Sequence, residues 1–554
     1  MARSGKGRQR QERLSKRERA RSLKYLFAFE ARGIQEFVLE SDELREMVGG
    51  SLVVEGVTGT LLDEALRGLG IGAASTQELV RAAGRGQIGL ESEEDARRLA
   101  GIWPVAVDRF SGGLEVLQAL VRVRDGNWAA AFGEARERLE GERQRVEARL
   151  PEAGPLVARA PGTGEPACAS VRKESRRVLI GRASMRRRAL FDSEKARREL
   201  EDRFTPRTWG KVEWPIEMRE VAGGGGEEGS RYLAVVHADG NGFGSLFRRL
   251  WEHFDQAGRG AEAGAFAMTF TTGLQEVARD ALVDALEHAI GEPPGGRVPA
   301  RPIVAGGDDL TLTIRADMAP EFVARYLEDF EAYGARLLER EDVRPLVEAG
   351  ALPAALTASA GVAFVKENYP FSHGYELAES LCAHAKRCGR QASGEGEVRP
   401  SAIACHRVTT ALSGRYERIL ELELRDPDKR ALSAAPYGVG RHADALPGFR
   451  DLQELARVLQ DCAPRGSVRE LCGTLRLSPA RAEAQLGRLK RIADRQGRDR
   501  GEAIKNALQA VTGGGLWREL KGGAEATPLL DAHTLRVFLG DDKSAALAPA
   551  EVVR

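Results

Sequence analysis

The sequence predicts an α+β protein with two ferredoxin-like units followed by a helical C-terminal domain. The order strand, helix, hairpin, helix, strand occurs twice, over residues 25–150 and again over residues 231–395. This is the order of elements in a ferredoxin-like unit. Over residues 396–554 the apolar side chains recur mostly at helical spacing, between loops rich in Pro and Gly. The second unit carries adjacent carboxylates that the first lacks, so we expect a degenerate first unit and an active second one.

The overall composition indicates a globular protein with several domains. The chain has 554 residues, of which 42% are hydrophobic and 30% are charged. No apolar run approaches the roughly 20 residues of a membrane span, and the N-terminal stretch lacks the apolar segment of a secretory signal. We therefore expect a cytoplasmic protein without membrane association. Six scattered cysteines without a CxxC pair favour reduced thiols over disulfides or a zinc site.

Positive charge is concentrated in two stretches. Residues 1–24 hold ten Lys or Arg and two Glu, a balance of +8 that leaves −7 for the rest of a chain with a net charge of +1. We expect this segment to be a disordered tail, with binding to nucleic acid or to an acidic partner as the alternative. Residues 151–230 read as a basic linker or insert that ends in a Gly-rich linker at 223–226. Its arginines, from Arg172 to Arg203, either contact phosphate backbones or form a solvated helix.

The first unit begins with a strand from Tyr25 to Phe29, followed by two amphipathic helices that we expect Gly49 and Gly50 to separate. A hairpin follows, and then a helix, a strand and a long helix that ends near residue 150. The hairpin has Arg85 and Gln87 near its tip, where catalytic carboxylates would be needed. This unit is therefore predicted to have lost its catalytic groups.

The second unit opens with an apolar strand that ends at Asp239 and turns through DGNG into a helix near Ser245. A carboxylate at a strand end, a glycine turn and a helix N-terminus together suit a metal-bound polyphosphate. The carboxylate holds the cation, while free backbone N–H groups and the helix dipole face the anion. A lone DGNG is equally consistent with an ordinary turn.

A GGDD hairpin follows 69 residues after Asp239, counted to Asp308. Gly306 and Gly307 permit a tight bend and close approach of an anion, and the adjacent carboxylates of Asp308 and Asp309 repel each other unless a cation lies between them. In the predicted topology the first strand lies beside the hairpin strands. We therefore expect the three carboxylates to meet at one edge of the sheet.

The helix that closes this unit carries Lys386 and Arg390 one turn apart, so both project from one face. Two such cations can bind the phosphates of a triphosphate. Alternatively, both complement the helix C-terminal dipole, since Gly389 marks a helix end.

Four motifs of the second unit carry a resemblance to a known family. In order they are HADGNGFG, GGDD, ASAGVAF and AKRCGR. They resemble the palm domains of GGDEF-class diguanylate cyclases and of the polymerase-like large subunit of type III CRISPR effector complexes. The stretch GIQEFVLESDELREMVGGS is similar to the first palm of the CRISPR subunit, and two palms followed by a helical domain favour this branch. No His-Asp pair occurs in the sequence, so we expect a compact form without the HD nuclease domain.

The residue chemistry and the resemblance together imply a nucleotidyltransferase. A 3′-hydroxyl would attack the α-phosphate of ATP, releasing pyrophosphate and giving a cyclic oligoadenylate or cyclic dinucleotide as a second messenger in antiviral defence. The expected cofactors are Mg²⁺ or Mn²⁺, as two ions about 3.5–4 Å apart. Expected partners are ATP or another nucleoside triphosphate, an RNA activator, and a homodimer or a CRISPR-type complex. A nucleotide-sensing palm without turnover and an RNA-binding scaffold are the alternatives.

The resemblance assigns roles to eleven residues. Catalysis is expected from Asp239, Asp308 and Asp309, with metal binding by these three and the Gly240 carbonyl. Nucleotide binding is expected from Gly240, Asn241, Gly242, Phe243, Gly306, Gly307, Lys386 and Arg390. Phe243 either packs beneath the base or fills the core.

Overall fold

The structure is a computed structural model, and it describes residues 23–82, 84–145, 154–173, 176–223, 232–394, 397–409, 414–520 and 523–539. The basic tail predicted for residues 1–24 and the Gly-rich linker predicted for residues 223–226 lie almost entirely outside the described residues. All six cysteines are free thiols, as predicted. None of the helices within the described ranges combines the length and the apolar character needed to cross a membrane.

The first unit has the predicted order of elements. They are β1 (Tyr25–Arg32), α1 (Ile34–Leu39), α2 (Leu44–Gly56), a π-helical turn (Val57–Leu61), α3 (Leu62–Gly68), β2 (Thr76–Ala82), β3 (Arg85–Leu90), α4 (Glu93–Ser111), β4 (Glu115–Arg122) and α5 (Trp128–Gln144). The sheet is antiparallel with strand order β2-β3-β1-β4. In this order the first strand lies between the last strand and the hairpin, as in a ferredoxin-like unit.

The insert consists of β5 (Ala169–Lys173), β6 (Arg176–Ile180), α6 (Arg182–Asp192), α7 (Glu194–Phe204) and α8 (Met218–Val221). Its arginines bind carboxylates of the first unit. Arg187 is fully buried and pairs with Glu40 at 2.5 Å, and Arg203 pairs with Glu55 at 2.8 Å. These guanidinium groups are therefore engaged within the chain, which supports the structural alternative over a phosphate-binding surface.

Gly49 and Gly50 do not break a helix, contrary to the prediction. Both lie inside α2, where it packs against α6. A Cβ added to Gly49 would overlap the backbone carbonyl of Arg187, and one added to Gly50 would lie 3.1 Å from the Cα of Val38. Glycine costs helix stability in isolation, but here it permits a close approach of backbones that any side chain would prevent.

The second unit contains β7 (Tyr232–Gly240), α9 (Phe243–Gln256), α10 (Gly260–Ile290), a 3₁₀ turn (Pro294–Gly296), β8 (Ala300–Gly306), β9 (Asp309–Arg315), α11 (Ala319–Leu338), α12 (Arg344–Glu348), β10 (Ala358–Lys366) and α13 (Phe371–Ala392). Its strands lie in the order β10-β7-β9-β8, which is again ferredoxin-like.

Two strands extend this sheet beyond the predicted end of the unit. They are β11 (Ser401–Arg407), parallel to β10, and β12 (Tyr437–Val439), antiparallel to β11. The predicted boundary at residue 395 therefore cuts through the sheet, and the segment expected to be helical from residue 396 begins with sheet structure. The five residues Ser401–Cys405 are all buried, a short apolar run of the kind found in interior strands.

The rest of the C-terminal region is helical, apart from the short strands β13 (Arg518–Glu519) and β14 (Glu525–Ala526). Its helices are α14 (Tyr416–Leu422), α15 (Phe449–Cys462), α16 (Arg465–Leu475), α17 (Pro479–Gln496), α18 (Arg500–Thr512) and α19 (Leu529–Phe538). Phe538 of α19 stacks on Phe364 of β10 with ring centroids 4.4 Å apart. The helical region thus docks on the sheet of the second unit.

The two ferredoxin-like units also pack against each other. Phe132 of α5 lies 4.9 Å from Trp251 of α9, measured between ring centroids. Beside this contact, the Asn127 amide donates a hydrogen bond of 2.6 Å to Asp255. At the GGDD hairpin itself, the Gln35 amide donates a hydrogen bond to Asp309, so the first unit contributes to the surroundings of the carboxylates.

Candidate active site

The sheet of the second unit brings the predicted carboxylates together. In the antiparallel pairing of β7 with β9, Asp239 lies directly opposite Asp309. The backbone N–H of Gly240 donates a 3.0 Å hydrogen bond to the carbonyl of Asp308. The strand order predicted from the sequence is therefore sufficient to gather three carboxylates at one end of the sheet.

Glycines shape the two turns at this end. Gly307 has φ of 65° and Gly242 has φ of 79°, in the left-handed region that favours glycine. A Cβ on Gly240 would overlap the ring of Phe243 and lie 2.9 Å from the Cβ of Asp308. The DGNG turn and the GGDD hairpin approach each other this closely only because Gly240 has no side chain.

Burial and mutual repulsion raise the pKa of two of the acids. The pKa of Asp308 is raised to about 6 and that of Asp309 to about 7, in both cases by burial first and by the charge of Asp239 second. Arg85 of the first unit counteracts the shift at Asp308, and a hydrogen bond from Gln35 counteracts it at Asp309. A group of acids that resists ionisation in this way favours the binding of a cation.

Lys386 lies among the predicted metal ligands. Its ammonium group forms an ion pair with Asp239 and donates a 2.9 Å hydrogen bond to the carbonyl oxygen of Gly240. These two oxygens are the ones expected to hold a divalent cation. Lys386 is thus a counter-ion of the acidic end of the sheet in this structure, whereas the sequence predicted that it binds phosphate.

The donor set is chemically suited to Mg²⁺ or Mn²⁺, because it consists of carboxylate and carbonyl oxygens. The Oδ1 atom of Asp309 is buried and has no hydrogen-bond partner, as expected for an oxygen that awaits a cation. Within the described ranges, no group of three His, Cys, Asp or Glu side chains is arranged to hold a metal ion. Lys386 and Gln35 hold oxygens of Asp239 and Asp309 instead.

Arg390 belongs to a group of arginines near the DGNG turn. Arg390 is exposed, and together with burial its charge and that of Arg249 lower the pKa of Arg399. A Cβ on Gly242 would lie 3.2 Å from a guanidinium nitrogen of Arg399. These arginines therefore surround the turn that precedes the N-terminus of α9, where an anion is favoured. Sequence reasoning missed Arg399, which lies on no motif and is placed only by the return of the chain into β11.

Asn241 and Phe243 have structural contacts. The Asn241 amide donates to the Thr357 hydroxyl at 3.0 Å and to the Pro400 carbonyl at 3.1 Å, and so fixes the turn to its surroundings. Phe243 is buried and packs 6.3 Å from Phe330, measured between ring centroids. Of the two interpretations offered for Phe243, the structure shows core packing.

The first unit reaches into the site, which sequence reasoning missed. Gln35, at the start of α1, donates a 2.9 Å hydrogen bond to Oδ2 of Asp309. A cavity of about 400 Å³ opens beside the hairpin, between the two units and the insert. Residues that line it include Thr58, Arg81, Phe204, Gly306, Gly307 and Tyr326. The stretch that contains Gln35 was noted for its resemblance to a first palm, but nothing in its local pattern indicated a contact with the acids.

His237 is a second residue that the sequence did not single out. It is buried on β7, with Nδ1 3.2 Å from the Thr311 hydroxyl and 3.5 Å from Oδ1 of Asp309. Burial lowers the pKa of its imidazole, so it is neutral near pH 7. A neutral ring leaves the negative charge of the acids uncompensated on this side.

The fold and the carboxylate hairpin define the second unit as a palm domain. Residues 232–393 match the family model for the second palm domain of Cas10/Cmr2. This segment contains all the predicted site residues. The chain therefore carries the second palm of a Cas10-like large subunit of type III CRISPR complexes.

Solved structures share this fold at low sequence identity. The crystal structure of the Csm1-Csm4 cassette in complex with pppApA has a TM-score of 0.51 and 14% identity, over 94% of this chain and 70% of that chain. The same cassette in complex with cA4 gives a TM-score of 0.49, 14% identity and the same coverage. Csm1 from T. onnurineus gives 0.48 and 16%, over 94% and 69%. No curated protein sequence matches this chain.

Proposed function

We propose that this protein is a nucleotidyltransferase that joins ATP molecules into a cyclic oligonucleotide, either a cyclic oligoadenylate or a cyclic dinucleotide, as a signal in antiviral defence. The observation that carries the proposal is the meeting of Asp239, Asp308 and Asp309 at one end of the palm sheet, beside a group of arginines. The Csm1-Csm4 cassette has been crystallised with a linear and with a cyclic oligoadenylate, which supports adenine nucleotides as the ligand class.

The acids and the arginines would have different roles in the reaction. Asp309, whose pKa is raised to about 7 while no cation is bound, would act on the attacking 3′-hydroxyl, either directly as a proton acceptor or through the bound ion. Arg390, Arg399 and the N-terminus of α9 would bind the phosphates of the incoming triphosphate. Mg²⁺ or Mn²⁺, when held by the three acids and the Gly240 carbonyl, would lower the pKa of the hydroxyl and stabilise the charge on the leaving pyrophosphate.

The cavity between the units would hold the acceptor nucleotide. It adjoins Gly306, Gly307 and Asp309 on one side and α2 and β2 of the first unit on the other. The first unit lacks carboxylates at its own hairpin tip, and its Gln35 donates a hydrogen bond to Asp309. It is therefore suited to bind the acceptor nucleotide. A homodimer or a complex with a Csm4-like partner, and activation by RNA, belong to the same proposal.

The test is the reaction itself. We expect the purified full chain to release pyrophosphate from ATP with Mg²⁺ or Mn²⁺, alone or with added RNA, and mass spectrometry of mixed-nucleotide reactions to identify the product. The double variant Asp308→Ala with Asp309→Ala should release none. A matched control, Asp317→Ala with Asp461→Ala, removes two exposed carboxylates, one just beyond β9 and one near the end of α15, and should retain activity. Absence of pyrophosphate under all these conditions would refute the proposal.

A second candidate is a nucleotide sensor without turnover. The ion pair of Lys386 with Asp239 favours it, because this contact satisfies part of the acidic site without a metal. A sensor would show a nucleotide-dependent rise in melting temperature and no pyrophosphate release, and the double Asp variant would still bind.

A further inference from the structure

The helical region meets the second-unit sheet at a cluster of basic side chains, which we call the junction cluster. Its members are His406 and Arg407 at the end of β11, Arg469 and Arg476 on and just after α16, and His533 and Arg536 on α19. α19 contacts both β11 and α16. Arg407 lies beside Phe364 in the register of β10, whereas Asp239 lies opposite Ser359. This separation of five positions along β10 places the cluster roughly 16 Å along the sheet from the acids.

The described residues provide no counter-charge for the junction cluster. Within the described part of the chain, none of its four guanidinium groups forms an ion pair. Arg536 is only 4% exposed and donates one hydrogen bond of 3.1 Å, to the Ala463 carbonyl, while its Nε has no partner. The Nε of Arg407 and the Nδ1 of His533 are likewise buried without partners. Buried donors are normally satisfied. Because unpartnered nitrogens also occur on the buried Arg187 and Arg301, the feature that distinguishes the cluster is that its guanidinium groups have no carboxylate partner.

Other buried arginines of this protein show the usual arrangement. Arg187 pairs with Glu40 at 2.5 Å, and Arg301 pairs with Glu201 at 2.7 Å. A buried guanidinium without an anion is costly. The contrast with Arg536 indicates that the junction cluster is arranged for an anion that the described residues do not supply.

The electrostatics of the two histidines agree with this geometry. The pKa of His533 is lowered to about 4, by burial first and then by the charges of Arg407, Arg536 and Arg469. The pKa of His406 is also lowered to about 4, by burial and by Arg407 and Arg476. Both rings are therefore neutral near pH 7, and the four arginines leave about four positive charges at the junction.

The number and arrangement of charges indicate the ligand. Guanidinium groups bind phosphate oxygens in bidentate geometry. One phosphate monoester carries at most about two negative charges, so four guanidinium groups call for more than one phosphate. Arg536 lies at the buried floor, and Arg469 and Arg476 are exposed at the rim. The aromatic rings of Phe364 and Phe538 lie at the same junction but are buried and stack on each other, so they offer no platform for bases.

We propose that the junction cluster binds the phosphodiester backbone of a nucleic-acid strand, with its arginines contacting two or more phosphates. This site is distinct from the carboxylates, and its occupation does not depend on turnover there. Because the contacts are to phosphates, we expect the affinity to depend strongly on salt concentration and only weakly on base sequence.

The experiment uses the full chain and a fluorescein-labelled 20-nucleotide oligo-U RNA, with binding followed by anisotropy between 50 and 200 mM salt. The variant Arg469→Gln with Arg476→Gln removes two exposed charges and should melt at the wild-type temperature. Each lost phosphate contact lowers the salt slope by about 0.7 for a single strand. We therefore expect the slope to fall by about 1.4, so that the variant loses about sevenfold less affinity than the wild type over this salt range.

The control variant Arg418→Gln with Arg457→Gln removes two exposed arginines elsewhere in the helical region, and its slope should stay at the wild-type value. An equal fall of the salt slope in both double variants would overturn the proposal, because it would indicate diffuse electrostatic attraction and no specific site. Absence of any strand binding would overturn it too. So would cluster-dependent binding of tripolyphosphate or of an oligo-Glu peptide but not of RNA. A DNA strand of the same length identifies the strand type: equal binding supports recognition of the backbone alone, and tighter RNA binding supports an RNA ligand.

Discussion

Replacing Asp309 by Asn should stabilise the protein, although Asp309 is a candidate catalytic residue. Burial raises the pKa of this carboxyl from 3.8 to about 7 in the folded chain, so above pH 7 the fold holds a charge that it disfavours. The full shift corresponds to about 4 kcal/mol. Because 30% of the side chain remains exposed, we halve this to about 2 kcal/mol. The amide oxygen of Asn can still accept the hydrogen bond from Gln35.

The pH dependence follows from the sign of the shift. Below about pH 4 the carboxyl is protonated in both the folded and the unfolded chain, so Asp and Asn should differ little. Between about pH 4 and pH 7 the unfolded chain ionises and the folded chain does not, and the wild type loses stability. The advantage of Asp309→Asn should therefore grow through this range and become constant above it.

The assay is thermal unfolding of the full chain in EDTA at pH 5 and pH 8. In a cooperative unit of about 150–250 residues, 1 kcal/mol shifts the melting temperature by about 2–4 °C. A gain of about 2 kcal/mol should therefore raise the melting temperature of the transition that includes the second unit by about 4–8 °C at pH 8, with a smaller rise at pH 5. Asp280→Asn, which removes an exposed carboxylate, should change little at either pH. Millimolar Mg²⁺ should reduce the difference at pH 8, because a bound cation stabilises the ionised wild type. An advantage that is independent of pH, or a destabilised variant, would refute this account of the site.

Three further predictions concern the site and its support. Gln35→Ala should raise the pKa of Asp309 further, because the carboxylate loses a donor, and the pH profile of pyrophosphate release should move to higher pH. Lys386→Gln should lower the melting temperature in EDTA by about 2–4 °C, as expected for a partly exposed ion pair worth about 1 kcal/mol, and Mg²⁺ should stabilise this variant more than the wild type. Gly361→Ala should cost about 3 kcal/mol or more in unfolding free energy, because its Cβ would overlap the backbone of α13; urea denaturation measures the loss.

Each of these has a control. Gln35→Glu tests charge at the same position and should raise the pKa of Asp309 more than Gln35→Ala does. Lys366→Gln, an exposed lysine at the far end of β10, should not alter the response to Mg²⁺. Gly133→Ala lies in α5 with nothing within 4 Å of the added Cβ, and it should be neutral or stabilising. A Gly361→Ala variant as stable as this one would contradict the packing argument.

The sequence was sufficient for those features that follow from local periodicity and strand order. Both ferredoxin-like units could be predicted because their apolar patterns change from strand to helix spacing at clear turns. The meeting of Asp239 with Asp308 and Asp309 then required only that the first strand lies beside the hairpin. The spacing of the motifs was therefore sufficient to predict most residues of the acidic site.

Contacts between distant segments could not be predicted in this way. Gln35 lies 274 residues from Asp309, and its pattern is that of any residue at the start of a helix. Gly49 was interpreted as a helix breaker because its cost in a helix is local, whereas the backbone approach that requires it is tertiary. The positions of Arg399 and of strand β11 depend on how the chain returns to the sheet, and the spacing of apolar residues does not indicate that path.

The ion pair between Lys386 and Asp239 has a consequence for ion selectivity. A sodium or potassium ion carries no more charge than the ammonium group that already occupies these oxygens, and it must also give up its own water. The Lys386 side chain holds its ammonium group at a high effective concentration beside these oxygens, and a monovalent ion has to compete with it. A divalent ion brings twice the charge to the same acids, so the exchange favours it. A lysine side chain on these oxygens thus disfavours monovalent cations while leaving the site open to divalent ones.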